Sequence, residues 1–219
     1  MNAIKDVPDP RFLAGLIVVR GIKLAPSSSE LKEEIREIIQ NRLENPRPES
    51  CKTAIRDLLR RGGFSPSGRN KPCNEYLVNA AREGRFPEIN NVVDVVNALS
   101  LDTGLPLCVQ DLSATGLNLI FRYGKPGEKN VFNAAGQEID LNGLICLCRN
   151  EPEGSTPLSN PVKDSMLGKI KPESTDILGI VYSTRDCTSL EQIRTLLDRF
   201  QALWLSHAGG TAGELLILE

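Results

Sequence analysis

The sequence predicts an α+β fold, a mixed sheet layer flanked by helices in one compact unit over residues 1–219. Three observations lead there. Continuous β-rich apolar runs at 12–22 (FLAGLIVVRGI), 144–148 (LICLC) and 177–182 (ILGIVY) read as buried strands. Apolar residues recur at helical spacing in 31–43 and 190–203. Strands and helices interleave irregularly, with short strands crowded into the second half.

In chain order, residues 1–10 read as a short polar arm closed by Pro8 and Pro10, ahead of the first buried strand. Ser27, Ser28 and Ser29 followed by Glu30 make a helix start, with a hydroxyl cap and an acid in the first turn. Leu31, Ile35, Ile38, Ile39 and Leu43 form its apolar face, and it stops at the turn linker 45–48 (NPRP). A second helix over 49–61 turns Ile55, Leu58 and Leu59 inward and ends at Gly62-Gly63. A loop at 65–73 feeds a third helix over 74–83. The fourth begins after Pro87, with Val92, Val93, Val95, Val96 and Leu99 on its apolar side. Asn90, Asn91, Asp94 and Asn97 form its polar stripe, and positions 90, 94 and 97 share one face. Gly104 and Pro106 end it, and a short apolar strand follows. Further short strands are predicted at 117–123, 130–134, 136–141 and 144–148. Residues 154–172, rich in Ser, Pro and Asn, read as the longest irregular segment, with 165–169 expected to fold over a site. The strand at 177–182, a capped amphipathic helix from Leu190 and a last strand at 215–218 complete the chain.

Composition narrows the function. The chain is 40% apolar and 25% charged, ordinary for a globular protein with a core large enough to need no staples. A net charge of −2 leaves no overall electrostatic footprint for nucleic acid, so any RNA contact falls to a local basic patch and is weak. The six cysteines, at 51, 73, 108, 146, 148 and 187, lack the paired spacing of a zinc site, and His207 is the only histidine. No metal and no cofactor are expected. With no secretory signal and no run long enough to span a bilayer, the expectation is a cytoplasmic location, free thiols and no membrane partner. The chain has no Gly-x-Ser-x-Gly elbow, no P-loop and no Gly-x-Gly-x-x-Gly. A cysteine protease needs a histidine beside its thiol, and the one here lies far along the chain. What remains is catalysis by positioning.

The segment NNVVDVVNALSLDTGLPLCVQDL supplies a more specific signal. It resembles the heart of the editing module, the B-three/B-four domain, in the beta subunit of bacterial phenylalanyl-tRNA synthetase. That family reads Asn-Asn-Val-Val-Asp-Val-Thr-Asn, a variable helix end, then Gly-Gln-Pro-Leu-His-Ala-Phe-Asp. Asn90, Asn91, Val92, Val93, Asp94, Asn97, Gly104, Pro106, Leu107 and Asp111 match it in spacing. The front of the chain looks like free-standing relatives, which carry this module without the ATP-dependent synthetase. The resemblance implies a layered fold with a sandwich-like sheet arrangement and one editing-type domain over 1–219.

It also implies a site. Asn97 matches the pocket asparagine, with Val96 in place of the neighbouring threonine, and Pro106 matches a pocket-wall proline. Cys108 replaces the family's histidine. Ile180 stands where a glutamate accepts the phenolic hydroxyl of misattached tyrosine, so an apolar or smaller side chain is the better expectation. Cys148, Arg149 and Asn150 take the place of a Gly-rich pocket loop, and Asn91 completes the expected lining. Asn97 and Cys108 are the candidate catalytic residues. Free-standing relatives tend to carry an Arg-Pro-Ser motif where this chain has Lys71, Pro72 and Cys73. Arg69, Lys71, Arg82 and Arg85 there form the candidate RNA contact. The implied reaction is hydrolysis of a misacylated tRNA in trans, with a positioned water attacking an already activated ester. The implied partners are tRNA or aminoacyl-tRNA, and an aminoacyl-tRNA synthetase. Two alternatives stand beside it: a module that binds RNA or a small ligand without turnover, and an unrelated small-molecule enzyme on the same scaffold.

Overall fold

Two four-stranded sheets stacked face to face, with helices over the outer face of one, make up the protein, which a computed structural model describes over residues 1–219. The elements run β1 (Asn2–Asp6), β2 (Phe12–Arg20), α1 (Ser29–Glu44), α2 (Glu49–Arg60), α3 (Cys73–Arg82), α4 (Asn91–Thr103), β3 (Leu107–Asp111) and α5 (Leu112–Thr115). The second half runs β4 (Asn118–Tyr123), β5 (Lys129–Val131), β6 (Glu138–Asp140), β7 (Ile145–Glu151), β8 (Gly154–Ser159), β9 (Ile177–Thr184), α6 (Leu190–Ala208) and β10 (Thr211–Leu218). Single 3₁₀ turns lie at Gly68–Asn70 and Met166–Gly168. The first sheet has the order β1-β4-β7-β8 and is mixed, because β1 runs parallel to β4. The second, β10-β2-β9-β3, is antiparallel throughout. The α+β class holds.

Period-two alternation explains why the second sheet is central. Along β2, Phe12, Ala14, Leu16 and Val18 face the other sheet, while Leu13, Ile17 and Val19 face the helices. Strand β9 divides likewise, Leu178, Ile180 and Tyr182 inward to the sandwich, Ile177 and Val181 to the helices. Both faces are covered, so these strands read as unbroken apolar runs. Phe121 of β4 meets Phe12 edge-on at 5.4 Å and Tyr182 at 5.8 Å, joining the sheets; such aromatic pairs are each worth about 0.5–1.5 kcal/mol beyond area burial. On the helix side, the Trp204 indole of α6 donates to the Val92 carbonyl at the head of α4 over 3.0 Å. No helix is long and apolar enough to cross a membrane.

The structure corrects several expectations. Residues 2–6 are not a polar arm: they form edge strand β1, alternately exposed and half-buried, paired with β4. Much of the segment read as irregular from 154 onward begins as strand β8, in a hairpin with β7. Strand β7 runs on through Arg149 and Asn150 to Glu151, where a loop was expected. Pro157 is accommodated because β8 is an edge strand, where a missing N–H donor costs no ladder bond.

Candidate functional site

Helix α4 sets the site, and its polar residues divide the labour. Asn90 caps it, its side chain accepting from the Val92 and Val93 N–H groups at 3.1 and 2.9 Å, and Gly104 ends it in the left-handed region at φ +72°. Asn91 donates to the Lys23 and His207 carbonyls and accepts from the Ala25 N–H, all within 3.0 Å. Asp94 accepts from the Ser27 hydroxyl at 2.6 Å and the Ile89 N–H at 2.8 Å. Three of the four polar residues thus fix backbone, as Asn and Asp commonly do. Asn97 is the fourth, and its amide takes no hydrogen bond within the protein.

Asn97 lines a cavity of about 350 Å³ between α4, one side of α3, the edge strand β3 and the segment 160–170. Its wall is apolar: Leu77, Val93, Val96, Leu107, Val109 and Ile170. Its polar groups are the Asn90, Asn97 and Asn160 side chains, the thiols of Cys73 and Cys108, and the Asp164 carboxyl, with Lys163 and Lys169 at the side. Strand β3 pairs only with β9, so its outer edge borders this space. The Cys108 thiol donates toward the Asn160 carbonyl at 3.5 Å. Contact with the Cys73 thiol and burial hold it well above the usual thiol range. It is therefore a protonated wall group, not a thiolate nucleophile.

Asp164 went unnoticed in the sequence, where it sits between a lysine and a serine in a stretch that read as loop. Half-buried by exposure yet wrapped by protein, its carboxyl is pushed up to about 6 by burial, against hydrogen bonds from Ser159, Cys108 and the Asn160 N–H that favour the charged form. The two lysines beside it are engaged elsewhere. Lys169 Nζ donates to the Phe132 carbonyl at 2.8 Å, and Lys163 Nζ lies 4.2 Å over the Phe132 ring. No Lys, Arg or His nitrogen comes within 4.0 Å of the Asp164 carboxylate. No group of three or more His, Cys, Asp or Glu side chains is arranged to hold a metal ion.

Of the residues expected at the site, Asn97, Val96 and Cys108 converge on the cavity. The others do not. Asn91 points away, into the loop after β2. Pro106 does not line the cavity, and its carbonyl accepts from the Tyr182 N–H at 3.1 Å. Ile180 pairs with Cys108 across the β3–β9 ladder but is buried in the sandwich core, because β9 is an interior strand. Cys148 fills the same core, its thiol pushed up to about 12 by burial. Arg149 donates to the Ala114 carbonyl at 2.8 Å and the Asn150 carbonyl accepts from Asn118 at 2.9 Å, both tied to neighbouring backbone or strand.

The basic residues also separate. Lys71 and Arg82 line a second hollow of about 270 Å³ on the opposite side of α3 from the cavity, together with Arg42, Arg47, Lys52 and Arg56. Some of that charge is balanced internally: Arg56 makes a two-pronged pair with Glu75 at 2.5–2.6 Å, and Arg42 pairs with Asp102 at 2.8 Å. Arg85 turns outward to Glu83. Arg69, on its 3₁₀ turn, lies near Lys163, whose amine is lowered by burial first and by Arg69 second. Arg42, in the last turn of α1, and Arg47, in the linker after it, were missed because the helix was read for its apolar face and the linker only as a turn.

An α+β sandwich with one amphiphilic cavity at the edge of its central sheet defines the structural class. The family model described as B3/4 domain matches residues 66–187, more than half of the chain, and the chain belongs to that family. The match contains every residue lining the cavity. Among named relatives, the phenylalanine–tRNA ligase beta subunit of Hahella chejuensis is 28% identical over 118 residues, 54% of this chain. The matched part spans 14% of that subunit's length. Among solved structures, an N-terminal fragment of the phenylalanyl-tRNA synthetase beta subunit from Pyrococcus horikoshii aligns over 96% of this chain and 49% of its own, with a TM-score of 0.48 and 11% identity.

Proposed function

We propose that the protein, acting as one module over residues 1–219, takes the aminoacyl-ester end of a tRNA into this cavity and hydrolyses misacylated species in trans. The observation that carries the reading is the uncommitted amide of Asn97, held by a rigid, capped helix over an apolar cavity, opposite the free edge of β3. An aminoacyl ester is already activated, so the chemistry asks for a placed water and for donors where negative charge develops. The Asn97 amide holds the water, and backbone N–H groups at the β3 edge face the oxyanion. Val93, Val96 and Val109 favour an apolar or small side chain. The RNA runs past α3, its phosphates meeting Lys71 and Arg82, with Arg69 and Lys163 at the cavity's rim. A synthetase that lets a close analogue through is the natural supplier of such a substrate.

Purified protein incubated with a panel of mischarged tRNAs tests this. Turnover of one species, reduced on the order of 10²-fold or more in Asn97→Ala, is the expected result. The second reading, binding without turnover, is favoured by the thiol of Cys108 where the family carries a histidine; retained binding with no turnover of any species would establish it. Full activity of Asn97→Ala would remove this residue from the mechanism.

A further inference from the structure

The reading above leaves the cavity's one carboxyl group unused. We propose that the Asp164 carboxylate receives the α-ammonium group of the bound aminoacyl ligand, so that the cavity selects ligands whose amino group is free. This deepens the proposed function and rests on it for the identity of the RNA-linked substrate.

The geometry points to a cationic ligand. A carboxylate facing an apolar wall is costly unless a counter-charge meets it. Here the two nearest cations of the cavity, Lys163 and Lys169, are held by Phe132, and Asp164 makes no ion pair. The protein's donors to it are the Ser159 and Cys108 side chains and the Asn160 N–H at 3.3 Å, three against the about four lone pairs of a carboxylate, and Asn160 in turn is fixed by the Val162 and Lys163 N–H groups at 2.9 and 2.8 Å. The acceptor is thus held in place with capacity left over. A metal ion would need more ligands of its kind than the site offers. A primary ammonium needs one carboxylate and one or two neutral acceptors, and the uncommitted side-chain oxygen of Asn97 borders the same space. At about 350 Å³ the cavity is of small-ligand size. With the ammonium on Asp164 and the side chain on the valines, the ester carbonyl is left to Asn97 and the β3 edge.

Binding of leucinamide and of N-acetylleucinamide, followed by calorimetry on the full chain, tests the assignment without RNA. Leucinamide should bind at least about tenfold more tightly, and Asp164→Asn should erase the difference by weakening leucinamide alone. A wild-type pH series guards against a variant that folds poorly. Leucinamide affinity should rise between about pH 5 and about pH 7 as Asp164 ionises, while the acetylated amide stays level, since an α-amino group remains largely protonated there. The titratable and charged groups facing Asp164 are Cys73, Lys163 and Lys169, with Cys108 and Tyr182, both pushed upward by burial. Equal binding of the two amides, no binding of either at millimolar concentration, or an unchanged preference in Asp164→Asn would overturn the proposal. So would Asp164-dependent binding of N-acetyltyrosinamide, which would give the carboxylate to a phenol instead. A parallel arm with Leu-tRNA and N-acetyl-Leu-tRNA separates the two readings: amide discrimination without any tRNA binding keeps Asp164 in its role and removes the RNA.

Discussion

At neutral pH Asp164 carries its charge among apolar side chains, and the folded protein bears the cost. Its carboxyl titrates at about 6 in the folded state, above the ordinary 3.8. The folded state therefore holds the proton more tightly than the unfolded chain does. The stabilisation from that proton is fully present below about pH 3.8 and is lost as pH rises through about 6. Asp164→Asn keeps the shape and the acceptor for the Asn160 N–H but removes the charge. It should melt higher than wild type at pH 8, by at most about 3 kcal/mol, and the gain should vanish toward pH 4. Thermal melts of both proteins across that range check it, and a pH-independent difference would mean that the cost lies elsewhere. A residue that weakens the fold at working pH is expected at a binding site. The sequence could not show this, since an acid between Lys163 and Ser165 looks solvated until the chain folds it under β3. Asn97 was legible for the opposite reason: helical spacing puts it on a face with Asn90, and its matching position in the family marked it out. Spacing could not say which asparagines were already engaged by backbone, and Asn91 was misplaced on that account.

At the scale of elements, α4, α6 and β9 form the clamp that holds the cavity's roof. Trp204 is its pin, donating to the Val92 carbonyl while its ring lies across β9 at Gly179. A Cβ at Gly179 would stand 2.7 Å from the indole and 2.9 Å from Ile17, with ring and strand both fully buried. This glycine is needed for close approach rather than for an unusual φ. Gly179→Ala should destabilise by about 1–3 kcal/mol, read from chemical denaturation, and should loosen the α4 amide protons in hydrogen exchange. Unchanged stability would show that α6 can shift outward freely. Central strands β2 and β9 and helix α6 were readable because burial on both faces, or on one stripe, writes a strong pattern. Strands β1 and β8 were not, because an edge strand half in solvent needs neither continuous apolarity nor freedom from proline. That is why the arm at 2–6 and the serine-rich stretch from 154 were misread.

At the scale of the molecule, α3 is the partition. Cys73 and Leu77 line the cavity, Arg82 and, just before the helix, Lys71 line the basic hollow, so under the proposed function one helix would separate the amino acid from the phosphates. The hollow's other wall, Arg42 and Arg47, comes from outside the 66–187 span that matches the family, so the cavity lies wholly within that span and the hollow extends beyond it. The net charge of −2 hid this, because a sum over 54 charged residues says nothing of where the cations gather. The two sides should respond separately to mutation. Lys71 and Arg82 make no ion pair, whereas Arg42 and Arg56 are committed to Asp102 and Glu75. The double variant Lys71→Ala/Arg82→Ala should weaken tRNA binding and lower the slope of log affinity against log salt by about 1–2, as expected for two lost phosphate contacts. Its turnover at saturating substrate and its affinity for leucinamide should stay unchanged. Asn97→Ala should do the reverse, keeping the salt slope and losing turnover. Filter binding across a salt series, paired with single-turnover deacylation, reads both quantities from the same preparations. If the double variant kept the wild-type salt slope, the RNA would have to approach from the rim at Arg69 and Lys163, and α3 would no longer be the partition between amino acid and phosphate.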